Sequence, residues 1–436
     1  MKCFFRIWII LYLFCLIIFP NLYRSVEAQP KGYNYDESKV PDYQLPLLLQ
    51  ADSGKRINSS KEWVSIRRPE ILHHLEQEIY GKNEIPLGEF KVQTSLVESG
   101  KSEFGNRKQY SITFNRREKE LTLNVLIFLP SKMEKPVPVF LGLNFRGNHT
   151  ISMDKEIIIT HEWIRPGKGV KNNRSTQGGR GIASSRWDLK QILSNGYGLI
   201  TAYYGEIDPD FDDGFQNGIH GLLNAARQQK PSSGSSIDAW AWGLSRLVDF
   251  IHAEPEFDKN RIIVFGHSRL GKAALWAGAK DQRIALVISN NSGCGGAAIS
   301  RRHFGETVKR INTTFPHWFC KNYYKYNNNE NKCIIDQHSL LSMIAPRPLY
   351  VASASDDLWA DPHGEYLAIK ETIKVYELYG YKFDKYWSKD AGYKVVPGTS
   401  YTGKIGYHLR KGKHDVTSWD WDKFIQFAEY NFSKFK

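Results

Sequence analysis

The sequence predicts an α/β fold, a mostly parallel central sheet with helices on both faces. From about Leu121 onward, short continuous runs of Val, Leu, Ile and Phe alternate with amphipathic helical stretches, the pattern of strands buried on both sides. No internal repeat, long low-complexity tract or Pro/Ser/Gly linker interrupts residues 29–436. A single α/β domain with a decorated N-terminal region is therefore expected there. With 436 residues, 41% of them hydrophobic, the chain can bury a large core, which excludes disordered and fibrous classes.

Residues 1–28 read as a secretory signal. Lys2 and Arg6 precede the apolar run Ile7 to Phe19, and Val26-Glu27-Ala28 offers a small residue for cleavage before Gln29. The run is short for a membrane span and a polar stretch succeeds it; a signal-anchor helix is the rival reading. Cys15 comes after Leu13-Phe14, which lacks the small residue expected before a lipidated cysteine. The mature protein is thus expected to be secreted or periplasmic, without a membrane span after signal removal, and to act as a monomer.

Strands are expected at Leu121 to Leu129 and Val137 to Leu143, with a turn over Pro130 to Pro136. Next come a helix at Arg186 to Leu193, ended by Asn195-Gly196, and a strand at Leu199 to Tyr203. Asp238 is a candidate cap for a helix whose Trp240, Leu244, Leu247, Val248 and Ile251 keep helical spacing, closed by Pro255. Beyond it the pattern reads strand Ile262 to Phe265, helix Leu270 to Ala279, strand Ile284 to Ser289, strand Leu349 to Ser353, helix Gly364 to Tyr379 and helix Trp419 to Phe432. The Asn-rich run Asn327 to Asn331 reads as a solvated loop.

The formal charge is +13, and losing residues 1–28 removes Lys2, Arg6, Arg24 and Glu27, leaving +11. The basic residues are scattered and no helix-turn-helix, zinc or RNA-binding signature appears, so nucleic acid is not an expected partner. An acidic polysaccharide suits an exported basic protein better. Only Cys294, Cys320 and Cys333 remain after cleavage, too few for a disulfide scaffold, although Cys320 and Cys333 are close enough in sequence to pair across a short loop. Cys294, inside Gly293-Cys-Gly-Gly296, suits a small buried residue better than a nucleophile.

The sharpest local feature is Ile262-Ile-Val-Phe-Gly266-His-Ser268-Arg-Leu-Gly271-Lys272. A short apolar strand, Gly-x-Ser and a helix-forming run make the layout of a nucleophile elbow. A serine hydroxyl is a weak nucleophile; a strained turn exposes it to a base, and amides at the new helix start face the developing oxyanion. The second glycine comes one position late, at Gly271, so an ordinary strand-turn-helix with a capping serine is the bland alternative. The order of residues farther along the chain favours the elbow, because an acid and then a histidine are needed there. Ser355-Asp356-Asp357 lies just past the strand ending at Ser353, and Gly412-Lys-His414-Asp415 precedes the last helix. His408 is the nearest competing histidine.

Gly266-His-Ser-Arg-Leu-Gly-Lys272, Ser289-Asn-Asn-Ser-Gly-Cys-Gly-Gly296, Arg301-Arg-His-Phe-Gly-Glu306, Phe315-Pro-His-Trp318, Trp359-Ala-Asp-Pro362 and Tyr407 to Asp415 together resemble the glucuronoyl esterases, carbohydrate esterase family 15, in their bacterial form. The resemblance spans most of the mature chain. It implies an α/β-hydrolase three-layer sandwich that cleaves, without metal or other cofactor, the ester between 4-O-methyl-glucuronic acid of glucuronoxylan and lignin alcohols. Carried over by position, it makes Ser268 the nucleophile, His414 the general base and Arg269 an oxyanion donor, and it assigns Lys272, Glu306 and Trp359 to the uronate sugar. As a surface salt bridge, Lys272 and Glu306 have a duller explanation, and Trp359 has one as a core aromatic.

One departure stands out. Many members carry a catalytic Glu where this chain has Asn291, which bears no charge. The other placement known in the family is the loop after the later strand, where Asp357 stands two residues before Trp359 and Asp356 is the fallback. Rival functions are an esterase acting on another xylan ester, acetyl or feruloyl, and an inactive polysaccharide-binding homologue. A charged sugar is favoured because a neutral acetyl group gives Arg269, Lys272 and Glu306 nothing to bind.

Overall fold

The computed structural model describes residues 29–83, 87–133, 136–223, 230–383, 387 and 395–433. The expected signal segment lies outside the described residues, and the large compact unit is Asn34–Lys436. Its strands are β1 (Lys91–Lys101), β2 (Asn106–Arg116), β3 (Lys119–Leu129), β4 (Val137–Asn144), β5 (Val170–Lys171), β6 (Arg174–Ser175), β7 (Gly198–Tyr203), β8 (Phe257–His267), β9 (Leu286–Asn290), β10 (Leu349–Ala354), β11 (Thr399–Tyr401) and β12 (Ile405–Arg410). Ten of them form one sheet in the order β1-β2-β3-β7-β4-β8-β9-β10-β12-β11, and β5 pairs with β6 apart from it. From β7 to β12 the neighbours run parallel, while β1, β2, β3 and β11 are antiparallel.

The parallel strands are apolar on both faces, and their alternating residues feed two separate cores. Leu141 and Val264 belong to one core with Leu244, Ala273 and Ile369 of the helices Ser236–Ala253, Arg269–Lys280 and Pro362–Glu377. Their neighbours Phe140, Ile263 and Phe265 face the other way, onto Ile192 of the helix Leu189–Ser194 and Trp421 and Phe424 of the helix Ser418–Phe432. The result is the expected three-layer sandwich.

Several local expectations are corrected. Ser235, not Asp238, caps the helix Ser236–Ala253; Asp238 sits in its first turn and accepts from Trp276 Nε1 at 2.7 Å and Lys280 Nζ at 2.8 Å. The helix expected from Arg186 begins at Leu189, because Asp188 accepts from the Gln191 amide and so sets the N-terminus. Cys294, Cys320 and Cys333 are free, buried thiols, so no bridge joins Cys320 to Cys333. The Asn-rich run is not a plain solvated loop: it enters a single 3₁₀ turn, Glu330–Lys332, that buries Glu330. The hairpin of β1 and β2 and the last parallel strand β12 are additions to the elements expected from sequence.

Candidate active site

In an open α/β sheet the loops at the carboxyl ends of the parallel strands gather over one crevice. Here the loop after β4 brings Arg146, the segment after β7 brings Asp210, and the turn after β8 brings Ser268. The loops after β9, β10 and β12 bring Asn291, Asp357 and His414. A cavity of about 210 Å³ opens among them, lined by Phe145, Arg146, Arg165, Arg186, Tyr204, His267, Ser268, Arg269 and His414. Two larger clefts, about 930 and 670 Å³, lie toward the opposite ends of the strands and contain none of the candidate catalytic or sugar-binding residues.

Ser268 caps the helix Arg269–Lys280 with φ 57° and ψ −128°, a sparsely populated combination for a residue with a Cβ. Its amide donates to the Asn290 carbonyl at 2.9 Å and its carbonyl accepts from Gly271 at 2.9 Å, which fixes the turn. Gly266 makes the turn possible: a Cβ there would run into the Leu270 carbonyl where strand and helix cross. At Gly271 a Cβ would meet Ser292 Cβ at 3.0 Å and the Gly266 carbonyl at 3.1 Å, so the displaced second glycine serves the same close crossing.

His414 Nδ1 lies 2.6 Å from Asp357 Oδ2. The histidine ring is partly exposed and the carboxylate is buried. Asn291 Nδ2 donates to the same Asp357 oxygen at 2.7 Å, and Asn291 is held in the left-handed region at φ 47°. Asp356 is exposed and accepts from Ser355 Oγ at 2.8 Å. His408, the competing histidine, is buried in β12 between Tyr350 OH at 3.0 Å and Asp420 at 2.9 Å. A further ring, His267, lies 4.5 Å from that of His414. Burial, with the His414 charge adding to it, drives His267 well below the usual imidazole range, so it stays neutral beside His414.

Arg269 is clamped. Its guanidinium lies 4.7 Å above the centre of the Trp318 ring, itself stacked on Phe315 at 3.7 Å, and Nη1 is bonded to Asp210 Oδ2. Asp210 is a site residue that the sequence pattern does not single out. It is fully buried and also accepts from Tyr204 OH at 2.7 Å, Trp318 Nε1 at 2.7 Å and His317 Nε2 at 2.9 Å. Burial would raise its carboxyl, but the bond from His317 and the charges of Arg269 and Arg165 outweigh that and hold it below the usual carboxylate range.

Lys272, Glu306 and Trp359 do not line this cavity. Lys272 is buried one turn along the helix from Ser268, its Nζ on the Ser292 carbonyl and 6.0 Å from the centre of the Trp318 ring. Burial lowers the Lys272 ammonium and raises the Glu306 carboxyl, while their mutual attraction opposes both shifts. The Glu306 amide donates to the Trp359 carbonyl at 3.0 Å, which ties these two residues into one wall. Trp318 is thus shared between the Arg269 side and the Lys272 side of the site. Glu365 is a second carboxyl that the sequence pattern passes over; it accepts from the Gly293 amide at 2.9 Å, and burial pushes it up to about 8 against the opposing bond from Ser353. Among the described residues no three His, Cys, Asp or Glu side chains converge as metal ligands.

Residues 227–380 match a family model described as glucuronyl esterase, fungi. A carbohydrate esterase from an unknown prokaryotic organism is 46% identical, over 93% of this chain and 94% of that protein. A 4-O-methyl-glucuronoyl methylesterase of Phanerochaete chrysosporium is 35% identical, over 43% of this chain and 44% of its own length. Among solved structures, a promiscuous CE15 esterase from a marine bacterial metagenome superposes with a TM-score of 0.84 at 44% identity, covering 92% of this chain and all of that one. The glucuronoyl esterase of Solibacter usitatus gives 0.83 at 40% identity, covering 91% of this chain and all of its own.

Proposed function

Because the chain belongs to carbohydrate esterase family 15, the glucuronoyl esterases, we propose that it is an exported serine esterase cleaving the ester between 4-O-methyl-glucuronic acid of glucuronoxylan and lignin alcohols, with Ser268, His414 and Asp357 as its triad. The observation that carries this reading is the 2.6 Å contact of His414 with Asp357 beside a strained Ser268 lining the same cavity as His414. The free imidazole nitrogen Nε2 takes the Ser268 proton as Oγ attacks the ester carbonyl. Asp357 fixes the tautomer and offsets the imidazolium charge. Arg269, already held by Asp210 and Trp318, needs little rearrangement to meet the oxyanion, and such preorganised donors contribute most to acyl transfer.

Lys272, Glu306 and Trp359 hold the sugar in this reading. The carbonyl under attack is the esterified C6 of the uronate, so no free carboxylate remains for Lys272, and its partner is a ring hydroxyl or oxygen. Asn291 favours an active enzyme over an inactive homologue, because it donates to Asp357 instead of replacing it. Export is supported by the signal-like residues 1–28, and no helix among the described residues is long and apolar enough to cross a membrane.

The test compares a benzyl glucuronate ester with an acetyl ester. Ser268→Ala should lower turnover of the glucuronate ester by about 10⁴-fold or more; near-normal activity would end the serine-esterase reading. A hydrogen bond from a charged donor contributes about 1.5–3 kcal/mol, so Lys272→Ala should slow glucuronate-ester cleavage roughly ten- to a hundredfold and leave the acetyl ester nearly untouched. Equal losses on both would mark structural damage. Preference of the wild type for the acetyl or a feruloyl ester would select the rival substrate class.

A further inference from the structure

Four arginines line the 210 Å³ cavity, Arg146, Arg165, Arg186 and Arg269. Three have carboxylate partners: Arg269 and Arg165 share Asp210, the latter at 3.4 Å, and Arg186 Nε meets Asp415 at 2.6 Å. Arg146 alone of the four makes no ion pair with a carboxylate among the described residues, and its Nη1 is buried without a hydrogen-bond partner. The group has been given room, since a Cβ at Gly167 would run into Arg146 Nη1 and Nη2. A buried, unpaired donor is costly unless a ligand satisfies it.

Arg146 also sits where this topology needs a donor. β4 lies beside the nucleophile strand β8, with Gly142 opposite Phe265, and in the α/β-hydrolase arrangement the loop after this neighbouring strand supplies the second oxyanion amide. Here the tight turn after β4 spends the Gly147 amide on Asn144 Oδ1 at 2.9 Å, so that backbone donor is already used. A guanidinium without a carboxylate neighbour also exerts a larger net field than Arg269, whose charge is largely cancelled by Asp210.

We propose that Arg146 is a second cationic donor of the oxyanion hole, acting with Arg269 on the same oxygen; this rests on the serine-esterase reading. As the Ser268 Oγ–carbon bond forms, the proton passes to His414 and the carbonyl π pair moves onto oxygen, where the two guanidiniums meet it. Collapse returns that pair, breaks the bond to the leaving alcohol and delivers the His414 proton to its oxygen. Water repeats the sequence on the acyl-enzyme and releases the uronic acid.

The test uses Arg146→Ala and Arg146→Lys in the full-length protein, with benzyl glucuronate ester as substrate and a boronic acid that forms a tetrahedral adduct on Ser268 as probe. Removing one oxyanion donor typically costs about 10²–10³ in kcat. The alanine variant should lose kcat on that scale with KM changed by less than about threefold, the lysine variant should lose less, and boronate affinity should fall with kcat. Gly167→Ala, which displaces the guanidinium but keeps its charge, should move kcat the same way and covers the case of an alanine variant that does not fold. An unchanged kcat, a change in KM alone, or an undiminished boronate affinity overturns the proposal while Ser268→Ala remains inactive. Turnover surviving in Ser268→Ala overturns the esterase reading and this proposal with it.

Discussion

In the proposed triad an imidazolium forming at His414 needs an anion at Nδ1, and Asp357 is the carboxylate 2.6 Å from it. Asp357→Asn should therefore lower kcat by about 10⁴, the scale for losing the triad acid, whereas exposed Asp356→Asn should leave it nearly unchanged. Asn291 Nδ2 touches the same Asp357 oxygen at 2.7 Å, so Asn291→Glu should restore part of the rate in the Asp357→Asn background. Steady-state kinetics on the three variants decides it, and a crippled Asp356→Asn would move the acid by one residue. Ser268 and His414 are legible as candidates from their chain order and local motifs, whereas Asp357 is preferred to Asp356 only through the family resemblance, which places the acid two residues before Trp359. Asp210 was not legible, since its partners Arg269, His317 and Trp318 lie 59, 107 and 108 positions away. Nothing in Asp208-Pro209-Asp210 announces that convergence, and Arg146, one arginine among scattered basic residues, was equally silent.

At the scale of the element, the crossing of β8 with the helix Arg269–Lys280 depends on two glycines unequally. A Cβ at Gly266 would overlap backbone of the Leu270–Gly271 peptide, the Gly271 nitrogen at 2.7 Å and the Leu270 carbonyl nearer still, which cannot yield. One at Gly271 meets Ser292 Cβ at 3.0 Å and the Gly266 carbonyl and Ser289 Oγ at 3.1 Å, contacts that need only a small shift. Gly266→Ala should thus cost about 1–3 kcal/mol or more, as overpacking of a tight core does, and reduce kcat by displacing Ser268; Gly271→Ala should be milder on both counts. Thermal melts and kcat measured side by side would check the ranking. The parallel strands were readable because continuous apolar runs mark a sheet buried on both faces. β12 is hard to read in the sequence because His408 and Arg410, both buried on Asp420, interrupt its apolar run. β1 is equally hard to read, being an edge strand whose Val92, Leu96 and Val97 are exposed, so its residues carry little of the inside-outside signal.

At the scale of the whole molecule, buried titratable groups set how stability responds to pH. Burial raises Glu365 to about 8 and Glu206 to about 7. The folded state therefore keeps protons that the unfolded chain releases near pH 4.5, and stability from these groups is lost as pH climbs through about 7 and 8. Burial lowers His149 from 6.5 to about 4, so below about pH 6.5 the unfolded chain takes up protons that the fold refuses, and stability is lost on that side too. Above about pH 6.5 the histidine contribution levels off while the two carboxyls still change. Stability should then fall by about 2 kcal/mol between about pH 6.5 and 8 on account of Glu365, at roughly 1.4 kcal/mol per pH unit for one retained proton. Glu365→Gln keeps an acceptor for the Gly293 amide and should flatten that decline; denaturant titrations at the two pH values measure it, and an equal slope in both proteins would contradict the assignment. The backbone of Ser268, at φ 57° and ψ −128°, sets folding against turnover. Glycine adopts those angles without the roughly 1–3 kcal/mol that a side-chain-bearing residue incurs, so Ser268→Gly should be inert yet more resistant to denaturant than Ser268→Ala, which keeps the strain. Stability alone would favour glycine at position 268, so the hydroxyl stands there against the preference of the backbone that carries it.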